Sequence, residues 1–135
     1  CSSDLIAFVN RLRSYEHRIR SADFDLYAIH SEIEAFCDRH QLFGTARHNL
    51  LLAVEEVLEL SRSHVGRDGL VLTVSHAEKT GEVTASVSGD ESYPDVLAGP
   101  QADELVTKIV RSLTREVTHD RSNGRSELRL VISTA

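Results

Sequence analysis

The sequence predicts an α+β fold: a two-layer sandwich of a largely antiparallel (mixed) sheet with three main helices on one face. Three observations carry that expectation. Two amphipathic stretches succeed one another between residues 25 and 63, two pairs of alternating segments read as hairpins, and the one long loop precedes a last helix. The 135 residues, 41% hydrophobic, suit one core, and no repeat, linker or low-complexity segment divides them.

In chain order, Leu5, Phe8, Val9 and Leu12 recur at a helical period behind Ser3 and Asp4, which predicts a short helix over residues 3–12. Residues 14–20 are too charged for a central strand, but Tyr15, His17 and Ile19 share one side, as on an edge strand. Asp25 caps a helix to about Arg39 with Leu26, Ile29, Ile33, Phe36 and Cys37 along one stripe. Residues 41–44 break it, and Thr45 is expected to cap a second helix to about Ser63, with Leu50, Leu51, Val54, Val57 and Leu58 inward. Residues 70–76 and 82–87 alternate around Glu78-Lys79-Thr80-Gly81, a hairpin. Gly89, Pro94, Gly99 and Pro100 punctuate the loop over residues 89–101. A last helix from Ala102 or Asp103 carries Leu105, Val106, Ile109, Val110 and Leu113, and strands 116–119 and 125–132 close the chain across Ser122-Asn123-Gly124.

Charge excludes some classes. With 15 Lys and Arg against 21 Asp and Glu, the net charge is −6, so no basic surface favours nucleic acid. The longest apolar stretch, Leu50–Val54, is far short of a bilayer span, and no signal segment opens the chain; a cytoplasmic domain without membrane insertion is expected. Cys1 and Cys37 lie far apart and suit reduced thiols. Cys37 and His40 form half a metal site by spacing, but Cys37 lies on the apolar stripe and no second pair appears, so no metal is expected. Nor is there a Gly-x-Ser-x-Gly elbow for a nucleophilic serine.

The element order, with its long loop before the last helix, resembles the GHKL ATPase fold in its anti-sigma-factor serine kinase form. Glu56-Val57-Leu58-Glu59-Leu60-Ser61-Arg62-Ser63-His64 is similar to that family's Glu-x-x-x-Asn-Ala-x-x-His, with Leu60 in place of Asn, and residues 109–130 look like its last helix and final hairpin. The likeness spans about residues 14–133. It implies that Glu56 stands where the family holds its general base and Leu60 where Asn ligates the magnesium on the phosphates. Leucine offers no oxygen. The family's Asp-x-Gly-x-Gly falls on Ser88-Gly89-Asp90-Glu91-Ser92, with Asp90 a shifted survivor and Glu91 on a glycine position. Its phosphate-binding turn falls near Asp103 and Glu104, whose carboxylates repel a triphosphate. The resemblance therefore implies a kept fold with a lost or weakened nucleotide site at Glu56, Leu60, His64, Asp90, Glu91, Asp103 and Glu104, and no cofactor.

A second likeness concerns context. Residues 6–12 look like the last helix of polar amino-acid ABC transporter ATP-binding subunits, some of which carry an appended domain with a segment like Phe24-Asp25-Leu26-Tyr27-Ala28. It implies that residues 1–13 are the tail of an upstream ATPase domain and residues 14–135 the GHKL-like domain, set near the membrane's inner face through a transporter complex.

Each candidate also has a plainer account. Glu55, Glu56 and Glu59 read first as an exposed acidic face, and His64 as a cation at a helix C-terminus. Leu52 and Leu60, near the side opposite Val54, need another cover: apolar filling beneath the 89–101 loop, or a contact with another protein or protomer. The expected function is a non-catalytic regulatory domain that binds a protein, either the upstream ATPase or a second copy. The alternatives are an active anti-sigma serine kinase using Mg·ATP, with Glu56 as base and Asp90 on the adenine, and a small-molecule sensor.

Overall fold

A computed structural model describes residues 14–99 and 102–134. The helix expected over residues 3–12 lies outside them. Strand β1 (Ser14–Ile19) leads to helices α1 (Leu26–Arg39) and α2 (Gly44–Ser61), then to β2 (Leu70–Ala77), β3 (Glu82–Asp90), helix α3 (Glu104–Leu113), β4 (Thr114–Ser122) and β5 (Arg125–Ile132). The five strands lie in the order β1-β2-β3-β5-β4. Among the described residues every pairing is antiparallel. Each helix reverses the chain: two helices between β1 and β2 return β2 antiparallel, and α3 with the β4–β5 hairpin does the same for β5 against β3.

The core is made where the two periods meet. Ile29, Ile33, Phe36 and Cys37 of α1 and Leu50, Ala53, Val54, Val57 and Leu58 of α2 are buried against Leu72, Val74, Val83, Ala85, Leu128 and Leu130 of the sheet. Burial pushes the Cys37 thiol up, which suits its place as a small apolar residue rather than a ligand. Helix α2 is flanked by α1 and α3, and Leu51, Leu52 and Leu60 pack against the core from its sides.

Polar side chains fix how the helices sit. Asp25 caps α1 by accepting from the Ala28 amide at 3.2 Å, as its sequence position predicts. At α2 the expected Thr45 cap is corrected: the N-cap is Phe43, without a side-chain bond, and Gly44 at φ +64° makes the turn into the helix, leaving Thr45 in its first turn. The helix also ends earlier than expected, at Ser61, where a 3-10 turn (Arg62–His64) takes over. Arg47 donates to Asp38 at 2.6 Å and Glu34 at 3.0 Å, fastening α2 to α1. Arg62 stacks on Phe24 at 4.0 Å, donates to the Ala22 and Phe24 carbonyls, and pairs with Glu59. Asn49, 7% exposed, donates to the Ser133 carbonyl at 2.9 Å and ties α2 to the residue that follows β5.

Helix α3 is capped by Asp103, which accepts from the Val106 amide at 3.1 Å. Strand β4 begins at the next residue after α3, earlier than the expected start at Glu116, and the register slips between Thr114 and Glu116. Asn123 (φ +53°) and Gly124 (φ +74°) form the two-residue hairpin turn that their types favour. Strand β3 runs through Gly89 to Asp90, so the loop starts at Glu91 rather than Gly89.

His76 on β2 has a buried Nδ1 without a hydrogen bond, and its ring meets that of His40 edge-on at 5.6 Å, while His40 stacks on Phe36. Burial first, then the His40 ring, lowers its pKa from 6.5, and Glu78 opposes the shift. The fold thus favours neutral His76. Its contribution is whole above 6.5 and falls as the pH drops below that value, because the unfolded chain binds the proton first. Urea unfolding from about pH 8 to about pH 5 is expected to show a steeper acid loss for the wild type than for His76→Gln; parallel profiles would contradict this. In the same assay Arg62→Ala is expected to lower stability by about 1–2 kcal/mol, through the lost carbonyl bonds and ring stack.

Candidate functional site

The C-terminal end of α2 and the loop after β3 form the candidate site. Tyr93 anchors the loop. It is 1% exposed, and its hydroxyl shares a 2.7 Å hydrogen bond with Ser61 Oγ, which itself donates to the Val57 carbonyl at 2.7 Å. Since the serine proton goes to Val57, the phenol donates to the serine. Burial pushes the phenol up to about 12, so it keeps its proton at neutral pH. From the other side, Ser126 Oγ donates to the Tyr93 carbonyl at 2.6 Å and receives the His119 Nε2 proton at 2.7 Å. Gly89 makes room: a Cβ there would press on Leu70 and on Tyr93 Cβ at 3.2 Å. The glycine thus serves the packing of the loop's own aromatic ring.

Beyond Tyr93 the loop turns its apolar groups inward. Val96 and Leu97 are buried, Asp95 Oδ1 accepts from the Leu97 amide at 3.0 Å, and the Asp95 carbonyl accepts from Ala98 at 3.1 Å. The bowed backbone leaves a cleft of about 540 Å³ lined by Leu60, Ser63, His64, Pro94, Asp95, Val96, Ala98, Gly99 and Ala102. The expected apolar filling over Leu60 is therefore corrected: the loop spends its hydrophobic side chains on the core, and the space above Leu60 stays open. A cleft of this size takes a small molecule or a few side chains. Its wall is mostly aliphatic, with the Ser63 hydroxyl, the His64 imidazole and the Asp95 carboxylate as polar groups, and no Lys or Arg among the described lining residues.

Of the seven positions singled out in the sequence, Leu60 and His64 meet at this cleft. The other five are not among its lining. Glu56 stands half-buried on α2, one turn before Leu60, with no hydrogen bond or ion pair among the described residues. Asp90 turns into its own loop, accepting from the Ser92 hydroxyl and from the Ser92 amide at 2.8 Å; these bonds, helped by the Arg125 charge, hold its carboxyl below the usual range. Glu91 is exposed, Asp103 is spent on the α3 cap, and Glu104 reaches Lys108 at 3.8 Å. The exposed acidic face is corrected at Glu55, which is half-buried and bonds His30 Nδ1 from α1, while His30 Nε2 faces Glu34 at 3.1 Å. Among the described residues no group of three or more His, Cys, Asp or Glu is arranged to hold a metal ion.

Sequence reasoning missed Tyr93, Ser61 and Asp95. An aromatic residue inside a Pro- and Gly-rich loop is a readable sign of an anchor, but its buried partner, 32 residues away, is not.

Comparison with known proteins places this geometry in a known fold. No family model matches the chain, and no curated protein matches it in sequence. Among solved structures it is similar to the RsbU and RsbW domains of Rv1364c from Mycobacterium tuberculosis, at 15% identity and TM-score 0.64 over 88% of this chain and 32% of that one. The chain thus spans about a third of that protein's length. It is also similar to the SiaB–SiaC complex from Pseudomonas aeruginosa, at 13% identity and TM-score 0.66, covering 97% of this chain and 98% of that one. The fold is GHKL-like, an α+β arrangement of a five-stranded antiparallel sheet and three helices.

Removing the phenol hydroxyl in Tyr93→Phe is expected to cost about 0.5–1.5 kcal/mol, and removing the ring in Tyr93→Ala about 3–5 kcal/mol. Both should speed amide exchange at Leu97 and Ala98 relative to β2 and β3. Unchanged exchange there would show that Tyr93 does not hold the loop.

Proposed function

We propose that this chain is a regulatory domain of the anti-sigma-factor kinase type whose nucleotide site is degenerate, and that it works by binding a protein at the α2–loop cleft. The observation that carries the reading is Leu60: it lines the cleft at the position where the resemblance implies the magnesium-ligating Asn. The rest of the wall points the same way. Asp95 adds negative charge, no described lining residue is a Lys or Arg, and Asp103 is committed to its helix cap. These residues do not fit a magnesium-bound triphosphate, which needs oxygen ligands for the metal and positive charge or free amides for the phosphates.

An aliphatic floor with a few polar groups at its rim suits a partner's side chains instead. The similar SiaB structure was determined in complex with SiaC, which supports a protein as the occupant here. We further propose that the partner machinery is a polar amino-acid ABC transporter ATPase, on the likeness of residues 6–12 and 24–28, and that engagement of the cleft alters ATPase turnover by favouring one of its states. Deleting the domain from such a subunit should change ATPase rate, assembly or regulation; a subunit unaffected in all three would remove the transporter setting. The open cleft favours one second reading, a small-molecule sensor, for which His64, Ser63 and Asp95 are the available polar contacts.

Calorimetry discriminates these readings from a kinase. Titration with Mg·ATP to about millimolar concentration is expected to show no saturable heat. Saturable binding that disappears in Glu56→Ala and Asp90→Ala would overturn the proposal in favour of a kinase.

A further inference from the structure

A second cavity, of about 260 Å³, lies where the end of β1 meets the turn before β2, and Arg18, Ile19, Arg20, Arg67, Asp68 and Gly69 line it. Register places it there: Ile19 pairs with Leu70 and Arg18 with Val71, so the last residues of β1 stand beside those that open β2. The Gly69 amide donates to the Gly66 carbonyl at 3.1 Å and closes a turn with Arg67 and Asp68 at its tip. That turn is held close, because Gly69 takes φ +71° and a Cβ on it would overlap the Ile19 carbonyl. Backbone contact therefore brings the arginines of β1 and of the turn to one cavity.

Charge there is unbalanced. The α2–loop cleft has no Lys or Arg among its described lining residues, whereas this cavity has three guanidinium groups against the single carboxylate of Asp68, in a chain of net charge −6. Among the described residues Arg20 and Arg67 make no ion pair or hydrogen bond, Asp68 pairs with neither, and Arg18 reaches only the exposed Glu16, at 4.0 Å. A guanidinium stays charged at every physiological pH, and its fork of N–H donors matches phosphate oxygens. Three such groups beside one carboxylate leave a surplus of two positive charges, and a phosphate monoester carries nearly two negative ones at neutral pH.

We propose that this cavity binds a small phosphate monoester. Arg18 and Arg20 hold the phosphate from the strand side and Arg67 holds it from the turn, while Asp68 is the carboxylate on the wall that can accept from a hydroxyl of the ester's organic part. Bounded by one strand end and one tight turn, a cavity of this volume suits a phosphate with a few further atoms better than a stretch of polypeptide. This site is separate from the α2–loop cleft and does not depend on the reading given to it.

The test uses the full chain with glycerol 3-phosphate as the probe, followed by amide chemical shifts. Shifts that saturate below about 10 mM are expected at residues 18–20 and 67–69. Glycerol, which is neutral, and acetate, which carries one charge, should give no saturable shift there over the same range. Each of Arg18→Gln, Arg20→Gln and Arg67→Gln should weaken binding by roughly 2- to 5-fold, and the triple variant by about tenfold or more. Because all three side chains are exposed, the variants should keep the wild-type circular dichroism. Arg111→Gln, at an exposed arginine of α3, should bind as the wild type does. No saturable shift at these amides, equal binding by the triple variant, or equal binding of acetate would overturn the proposal. An equal loss in Arg111→Gln would overturn it too, since the attraction would then be general rather than local. A capped phosphoserine peptide that binds more than about tenfold tighter than the probe would replace the small ester with a phosphorylated protein segment and so overturn the proposal as well.

Discussion

The hydrogen bond between the Tyr93 and Ser61 hydroxyls, closed off from water inside the core, is the constraint on which the candidate site depends. It joins the one long loop to the end of the central helix. The Ser126 bond to the Tyr93 carbonyl and the burial of Val96 and Leu97 hold the loop together with it, whereas Pro94 and Gly99 set only local turns. The bond also explains why the loop leaves a cleft. Once Tyr93, Val96 and Leu97 are drawn into the core, the intervening backbone must arch, and Asp95 stabilises that arch by accepting from Leu97. Two serines do the fastening, Ser61 on the ring's hydroxyl and Ser126 on the backbone carbonyl. Both are fully buried yet satisfied, which is the condition under which small polar groups are tolerated in a core.

Most of the fold was legible because it is written in local periods. The stripe through Ile29, Ile33, Phe36 and Cys37 and the alternation through Leu70, Leu72 and Val74 each name an element and its buried face, and Asn123-Gly124 names a turn. The errors came where a contact from elsewhere decides. Thr45 carries the right side chain for a cap, but with the left-handed Gly44 opening the helix the cap falls on Phe43, two residues earlier. The helical period of α2 alone places Glu55 on an exposed face; the His30 ring that bonds it comes from α1. The open space above Leu60 has the same kind of cause. A wheel can say that Leu60 faces away from Val54, but whether a loop fills the space above it depends on where Tyr93 finds a partner.

The resemblance that names Glu56, Leu60 and His64 is carried by spacing on one helix, and spacing is what a helix preserves. Leu60 and His64, four residues apart, line the cleft. Past β3, Asp90 accepts from the Ser92 amide and Gly89 leaves room for the tyrosine ring. The sheet and helices keep a GHKL-like frame, and the cleft on it is lined mostly by aliphatic groups, with Ser63, His64 and Asp95 as its polar members.

Helix α3 passes into β4 with no residue between them, and the Ser133 amide bonds the last carbonyl of the helix at 3.0 Å. That end has no joint. The chain at the other end of α3, by contrast, enters from the cleft rim, where Ala102 sits. A body seated in the cleft therefore lies beside the start of α3, whose other end is held to the sheet through the Leu113 carbonyl on the side of the molecule farthest in strand order from β1.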